Sequence, residues 1–296
     1  MTSSPAAPVI DGLQTLADSY DVILCDVWGV LHNGIAAFGP AADALMRFRA
    51  KGGRVVLVSN APRPGHAVGT QLDRLGVPRA AYDAIVTSGD LTRFGIEERI
   101  AQVVHHMGPK RDLPLFENLP VRFGSIEEAD YVVCSGFDEE DDGQESVEEY
   151  HPRLEAIRRR KLWMLCANPD LVVERGHTLI PCAGAIAQVY EQLGGEVYYA
   201  GKPHRPIYER ALSVAAKLAG RDAIPAERVL AVGDAIRTDI AGAAGYGIDS
   251  LFVARGIHAG ELGLHEGALA QGRVGDWLDR QHVRPTAVTD MLVWAA

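Results

Sequence analysis

The 296-residue sequence has few cysteines, and none of them are closely spaced. Cys25, Cys134, Cys166 and Cys182 are scattered along the chain, and no C-x-x-C motif occurs. A disulfide framework or a zinc site would need clustered cysteines at characteristic spacings. We therefore expect a protein of the reducing cytoplasm that has neither kind of cross-link.

Long apolar runs and an excess of positive charge are also absent. No run of about 18 apolar residues occurs, so we predict no membrane span. Residues 1–21 lack the basic start and apolar segment of a signal peptide. The formal net charge of -10 argues against a nucleic acid or an anionic membrane as the main partner. A small anionic substrate stays compatible with this charge, because a metal ion or a lysine can reverse the field inside a pocket.

The sequence does contain short apolar segments that alternate with helix-like stretches, a pattern typical of a parallel α/β sheet. Its hydrophobic content of 47% is enough for one large core or two smaller ones. The tail is predicted to begin with a helix over residues 260–271. The predicted strands are 21–26, 54–58, 84–86, 101–105, 130–134, 162–166 and 229–232.

Four separated segments hold most of the residues that are suited to catalysis. Asp26, Ser59 and Asp234 each follow an apolar strand candidate, and ligands of open α/β sheets bind beyond the carboxyl ends of the strands. A carboxylate at the end of a buried strand is costly unless something uses it. The segments are DVWGVL (26–31), VLVSNAPRP (56–64), GKPHRPIYE (201–209) and VGDAIRTDIAGA (232–243).

In this order, the four segments resemble the motifs of the haloacid-dehalogenase-like hydrolase superfamily. The motifs GKP and GDxxxTDIxGA are similar to those of the subgroup with a large α/β cap. This subgroup includes nucleotide, sugar and pyridoxal phosphate phosphatases. The resemblance implies a doubly wound, Rossmann-like parallel sheet core (1–91 and 181–296) with a smaller inserted α/β cap (92–180). It also implies a cytoplasmic, Mg²⁺-dependent phosphohydrolase for a small phosphorylated metabolite. A homodimer stays open, since cap-mediated dimers occur in relatives.

The resemblance assigns roles to several acidic residues. Asp26 is the expected nucleophile. Asp26, Asp234, Asp239 and the backbone carbonyl of Trp28 are the expected Mg²⁺ ligands, in keeping with the preference of this ion for oxygen. Asp239 has an alternative interpretation as a first-turn carboxylate of a helix whose N-cap is Thr238.

Other positions are expected to contact the substrate. Ser59, Asn60 and Lys202 would bind the phosphoryl group, and Lys202 would act in catalysis by supplying a fixed positive charge. Asn168 and Asp170 resemble the N-x-D stretch of the cap and are candidates for a substrate contact or a domain interface. An Asx turn around the intervening proline is the alternative.

Position 28 departs from the pattern of the phosphatases. Those relatives carry a second Asp two residues after the nucleophile, which protonates the leaving oxygen and then activates water. Trp28 can do neither, because its indole N–H is only a donor. Three interpretations stay open: an atypical phosphohydrolase, a 2-haloacid dehalogenase-like C–halogen hydrolase (whose D-x-Y-G-T motif has an aromatic there), and a non-catalytic protein that binds a phosphorylated ligand. The Trp28 side chain would either stack on a substrate or fill the space that the second Asp occupies in the phosphatases.

Overall fold

The computed structural model describes residues 7–138, 145–175, 178–264 and 267–295. These residues form two compact units. The first unit comprises the described chain up to Val58, Gln71–Ile85 and the chain from Tyr208 onward, and the second comprises Ser59–Thr70 and the described residues of Val86–Ile207. The core and cap boundaries expected from the sequence remain predictions.

The β-strands follow the apolar segments of the sequence. In chain order they are β1 (Val22–Cys25), β2 (Arg54–Ser59), β3 (Ala84–Thr87), β4 (Val103–Met107), β5 (Arg122–Phe123), β6 (Tyr131–Cys134), β7 (Met164–Cys166), β8 (Val172–Arg175), β9 (Thr178–Pro181), β10 (Val197–Tyr199), β11 (Val229–Gly233), β12 (Asp249–Val253) and β13 (Ala287–Thr289). The α-helices are α1 (Gln14–Ala17), α2 (Gly39–Ala50), α3 (Gly65–Leu75), α4 (Ser88–Glu97), α5 (His151–Arg159), α6 (Ala183–Gln192), α7 (Arg205–Leu218), α8 (Ala241–Tyr246) and α9 (Gln271–Leu278).

A six-stranded sheet has the order β13-β12-β11-β1-β2-β3. Its strands β1 and β11 are adjacent and parallel, and both are buried throughout, as expected for strands covered on two faces. From β1 the chain continues to β2 and β3 on one side, and it later returns to β11 and the strands beyond on the other side. The strand order therefore reverses between β1 and β11, which is where doubly wound folds bind their ligands.

A second sheet has the order β10-β7-β6-β4-β5, and its strands are parallel. Alternate residues of β6 enter two different apolar clusters: Val132 and Cys134 pack with α5 and α6, whereas Tyr131 and Val133 pack with residues such as Ile96 and Phe116. This sheet therefore has an apolar layer on each face, so it is itself an α/β fold. Strands β8 and β9 form a separate antiparallel hairpin.

The structure confirms the α/β fold class and the predicted strands, with small differences at their ends. The helix predicted over 260–271 is wrong for the residues that the structure describes there: 260–263 form a turn, and helix α9 begins only at Gln271. Gly263 has φ +64°, and Leu264 donates its N–H to the Ala259 carbonyl at 2.8 Å, which closes the chain into a turn. Among the described residues, the helices are too short or too polar to cross a membrane.

Candidate active site

Three aspartates converge where β1 and β11 end. Asp26 directly follows β1 and Asp234 directly follows β11, while Asp239 lies one turn further along the chain. Each offers a carboxylate oxygen, and these oxygens lie within 4.8 Å of one another. All three side chains are buried, with at most 8% of each residue exposed. The reversal of strand order thus places a cluster of negative charge at the edge predicted from the sequence.

Two glycines leave room for the side chain of Asp234. A Cβ atom at Gly29 would lie 2.0 Å from Oδ2 of Asp234, and one at Gly256 would lie 2.1 Å from the same atom. Gly29 also has φ +79°, a conformation that side chains disfavour. The Ile257 N–H donates to Oδ2 of Asp234 at 2.8 Å. Close backbone approach therefore fixes this carboxylate.

The backbone holds Asp239 as well. Residues Ile236–Ile240 form a π-helical turn, and the Ala235 N–H that precedes it donates to Oδ2 of Asp239 at 3.1 Å. A Cβ atom at Gly233 would lie 2.1 Å from Cγ of Asp239. Thr238 lies inside this turn and is not an N-cap, whereas Asp239 does lie in the first turn of the helical segment, as the alternative interpretation expected. Wide turns of this kind are frequent at functional sites.

The chemistry of the donor set fits a hard divalent cation. Three carboxylates this close repel one another when ionised, and burial strengthens the repulsion. A cation that binds oxygen ligands offsets this cost, and Mg²⁺ and Mn²⁺ prefer carboxylate, carbonyl and water oxygens. Asp26, Asp234 and Asp239 are therefore suited to hold such an ion.

Trp28 lies in a loop that His32 supports. Its ring meets the His32 ring edge to face, with centroids 5.0 Å apart. The His32 carbonyl accepts the Gly29 N–H at 2.8 Å, and Nδ1 of His32 accepts the Gly34 N–H at 2.9 Å. A neutral His32 ring thus carries its proton on Nε2. His32 is buried, so its ring and backbone define the position of Trp28.

In the second unit, Asn60 binds the backbone of Lys202. Oδ1 of Asn60 accepts the Lys202 N–H at 2.8 Å, and Nδ2 donates to the Lys202 carbonyl at 3.0 Å and to Oδ1 of Asp170 at 2.9 Å. The hydroxyl of Ser88 approaches Oδ1 of Asn60 at 3.4 Å. Both ends of the Asn60 amide are therefore engaged, and Lys202 is held in a buried position.

The side chains of Ser59 and Asn168 accept hydrogen bonds from backbone N–H groups two residues further along the chain. Oγ of Ser59, the last residue of β2, accepts the Ala61 N–H at 3.2 Å. Oδ1 of Asn168 accepts the Asp170 N–H at 3.0 Å, which is the Asx turn that the sequence left open. This turn orients Asp170 toward Asn60. Asn168 is therefore connected to the Lys202 backbone through Asp170 and Asn60.

Sequence reasoning missed several residues that shape these two groups. Ser88 begins α4 and carries no motif, and Gly256 and Ile257 lie in a loop after β12. Their contacts join positions far apart in the chain, and local pattern does not indicate such contacts. Gly29 belongs to the segment DVWGVL, but the sequence did not indicate its closeness to Asp234.

Comparison with known proteins identifies the family. The family model described as haloacid dehalogenase-like hydrolase matches residues 23–120, and a second, described as HAD-hydrolase-like, matches residues 199–295. A crystal structure of a haloacid dehalogenase-like hydrolase from Brucella suis 1330 is 44% identical; the match covers 96% of this chain and 100% of that one, with a TM-score of 0.85. The chain belongs to the haloacid dehalogenase-like hydrolase family. The resemblance stated from the four motifs is thus confirmed, and the protein is an enzyme of the hydrolase class.

Two further similar proteins have lower sequence identity. The D-glycerol 3-phosphate phosphatase of Mycobacterium tuberculosis is 26% identical over 254 residues, which cover 83% of this chain and 66% of that protein. The match therefore spans just under two thirds of that relative's length. A possible sugar phosphatase from Cytophaga hutchinsonii is 20% identical, with 96% of this chain and 98% of that chain covered and a TM-score of 0.76. At this identity, the agreement concerns the fold.

Proposed function

We propose that this hydrolase is a Mg²⁺-dependent phosphohydrolase that acts on a small phosphorylated metabolite. The observation that carries the proposal is the cluster of three buried carboxylates at the reversal of strand order. The Mycobacterium tuberculosis relative is named for activity on D-glycerol 3-phosphate, which supports a small phosphate ester as the substrate class. The net charge of -10 disfavours nucleic acid as a partner. The cytoplasmic location and the homodimer remain predictions.

Asp26 is the proposed nucleophile. A carboxylate oxygen of Asp26 forms a bond to phosphorus while the bond to the leaving oxygen breaks, and that oxygen keeps the electron pair and takes a proton from water. Water then attacks the phosphorus of the aspartyl-phosphate, which releases inorganic phosphate and restores Asp26. Mg²⁺ held by Asp26, Asp234, Asp239 and the Trp28 carbonyl would offset the repulsion between the nucleophile and the phosphate.

The other residues that the family resemblance assigned are proposed to bind the phosphoryl group and the substrate. Lys202 would supply the positive charge, and Ser59 a hydroxyl donor. Asn60 would act mainly as a positioning residue, because its amide already bonds to the Lys202 backbone and to Asp170. Asn168 fixes Asp170 through the Asx turn, so both would influence substrate binding through this group.

Trp28 sets the character of the proposed reaction. Without a second carboxylate, the leaving oxygen has no side-chain acid at this position and water has no base. General acid–base catalysis contributes roughly 10²–10⁴-fold, whereas enzymatic accelerations of phosphate ester hydrolysis reach about 10²¹-fold. We therefore expect a functional enzyme whose phosphoenzyme hydrolyses slowly.

A stopped-flow assay with p-nitrophenyl phosphate and Mg²⁺ tests the proposal. The wild-type protein should release a burst of about one nitrophenolate per site, followed by slow turnover, because the first step is faster than the second. Asp26→Asn should abolish the burst. Asp73→Asn, which changes an exposed carboxylate on α3, should retain it.

The absence of both burst and Mg²⁺-dependent turnover in the wild-type protein would reject the phosphohydrolase. Chloride release from 2-chloropropionate would then indicate the C–halogen hydrolase, which the aromatic side chain at position 28 allows. Binding of glycerol 3-phosphate without any turnover would indicate a site that only binds a phosphorylated ligand.

A further inference from the structure

A cavity of about 280 Å³ lies at the amino-terminal edge of the six-stranded sheet. Its walls include Asp21, which precedes β1, Arg54, which begins β2, and Arg228, which precedes β11. Asp26 follows β1 at the opposite end of that strand. The cavity is therefore a different place from the carboxylate cluster, although the same strands border both.

The lining of this cavity has an excess of positive charge. Four basic side chains line it, compared with two carboxylates, Asp18 and Asp21. The basic residues are Lys51, Arg54, Arg221 and Arg228. This is the reverse of the chain as a whole, whose net charge is -10. A local field of this sign in an acidic protein attracts small anions.

Two of the arginines share a single carboxylate. Nη1 of Arg221 lies 2.7 Å from one oxygen of Asp21, and Nη2 of Arg228 lies 2.5 Å from the other. Hydrogen bonds from these guanidinium groups hold the pKa of Asp21 below its usual value, so Asp21 stays ionised at neutral pH. One carboxylate cannot neutralise two guanidinium groups, and both arginines keep exposed side-chain surface.

Arg54 forms fewer side-chain hydrogen bonds within the described chain than Arg221 and Arg228 do. Its ion-pair partner within the described chain is Asp83, at 3.9 Å, and among those residues its guanidinium makes no hydrogen bond. Asp83 already accepts bonds from Arg49 at 2.6 and 3.0 Å and from the Val55 N–H at 2.8 Å. Arg54 is 40% exposed and contributes little to the hydrogen bonding of the fold. Its donors are therefore available to a ligand.

The floor of the cavity is apolar and closely packed. Phe48 lines it and is buried, and a Cβ atom at Gly53 would lie 2.2 Å from the Phe48 ring. Lys51 lies over the Trp294 ring, 5.7 Å from its centroid, and pairs with Asp18. These contacts fix the floor of the cavity and the position of Lys51.

We propose that this cavity binds a small multivalent anion that carries phosphate or carboxylate groups. Guanidinium groups match both kinds of group with paired hydrogen bonds. The cavity volume is slightly below the roughly 300–1,000 Å³ of typical small-molecule sites, which fits a compact metabolite. The proposal does not depend on the proposed phosphohydrolase activity.

Isothermal titration calorimetry without Mg²⁺ tests the site, with pyrophosphate and citrate as probes for the two kinds of group. The wild-type protein should bind one equivalent of at least one probe. Arg54→Gln should weaken that binding by about tenfold, since a hydrogen bond to a charged group is lost without loss of a bond in the fold. Arg221→Gln should weaken it too, and Arg47→Gln is the matched control, because Arg47 pairs with Asp43 on the surface of α2.

Lys202→Gln separates this cavity from the phosphoryl site. Binding that survives Lys202→Gln and Arg47→Gln but weakens in Arg54→Gln supports the proposal. Binding that is lost in Lys202→Gln and unchanged in Arg54→Gln, or no binding of either probe, overturns it. If Arg221→Gln fails to fold after losing its bond to Asp21, Arg54→Gln alone decides the result.

Discussion

At the scale of single residues, Trp28 has the most direct effect on rate. The Trp28→Asp variant restores a carboxylate two positions after the nucleophile, so turnover of phosphate esters should rise, by up to roughly 10²–10⁴-fold for a poor leaving group. Steady-state rates with glycerol 3-phosphate and p-nitrophenyl phosphate measure this. Trp28→Phe is the control, because it keeps a ring against His32 but supplies no acid.

A second prediction about Trp28 concerns how the rate depends on the leaving group of the substrate. In the wild-type protein, kcat/KM, which reports the first step, should be much higher for p-nitrophenyl phosphate than for an alkyl phosphate, because nitrophenolate leaves without a proton. Trp28→Asp should narrow that difference. Equal kcat/KM values in the wild-type protein would show that another group supplies the proton, and a fall in turnover of a folded Trp28→Asp would show that the indole has a role of its own.

Gly29 provides a separate prediction about the carboxylate cluster. Gly29→Ala places a Cβ atom 2.0 Å from Asp234, so Mg²⁺-dependent activity should fall by at least about tenfold through displacement of a ligand. Gly76→Ala is the control, since Gly76 has φ +85° but open space around its Cα. Both variants should lose about 1 kcal/mol of unfolding free energy from backbone strain. Equal activity in the two variants would contradict a role for Asp234 in holding the metal.

Many of the candidate site residues could be predicted because they follow buried strands. Asp26 and Asp234 come directly after runs of apolar residues, and adjacent parallel strands bring such positions together. The hydrogen bonds between Asn60 and Lys202 join residues 142 positions apart, and only the folded chain defines their geometry. The family resemblance implied that Asn60 binds phosphate. The structure shows instead that its amide is bonded to Lys202 and Asp170, a contact that the sequence could not indicate.

At the scale of elements, the strand pair β4 and β6 contains a partly buried histidine, His106, that makes stability depend on pH. Nε2 of His106 lies 2.9 Å from Oγ of Ser135. Burial lowers the pKa of His106 from 6.5 to about 4, with His105 adding to the effect and Asp138 opposing it. Between these values the unfolded chain binds the extra proton, so the free energy of unfolding falls as pH decreases from 6.5 to 4.

Urea unfolding across this pH range should show that dependence and its removal in His106→Gln. The slope that the histidine contributes is at most about 1.4 kcal/mol per pH unit, because one proton is involved. His66→Gln, at a side chain that is 69% exposed, should keep the wild-type slope. Identical slopes in wild-type protein and His106→Gln would mean that the histidine titrates normally in the folded state.

The elements also differ in how well the sequence predicted them. Strands buried on both faces, such as β1, β6 and β11, appear as continuous apolar runs, and their positions were predicted to within one or two residues. The hairpin of β8 and β9 was not predicted, because apolar and polar residues do not alternate clearly along these strands. The apolar side chains of Val172 and Leu179 are exposed. In the tail, a turn at Gly263, whose φ of +64° favours glycine, stands where a helix over 260–271 was predicted.

At the scale of the whole molecule, the carboxylate cluster should link metal binding to thermal stability. Binding to the folded state alone adds RT ln(1 + [Mg²⁺]/Kd), about 2.7 kcal/mol at 100 times Kd, which corresponds to several degrees in Tm. Asp234→Asn removes one charge but can still accept the Ile257 N–H. In EDTA this variant should therefore unfold at a Tm equal to or above that of the wild-type protein, because repulsion within the cluster falls.

In saturating Mg²⁺ the order should reverse, since Asp234→Asn binds the ion more weakly and gains less stabilisation. Differential scanning fluorimetry in EDTA and over a range of Mg²⁺ concentrations measures both conditions, with Asp73→Asn as the control that should follow the wild-type protein. A Mg²⁺ shift of the same size in Asp234→Asn would place the ion elsewhere in the molecule. A lower Tm of Asp234→Asn in EDTA would mean that the three carboxylates do not repel one another in the metal-free protein, because they share a proton or an internal cation.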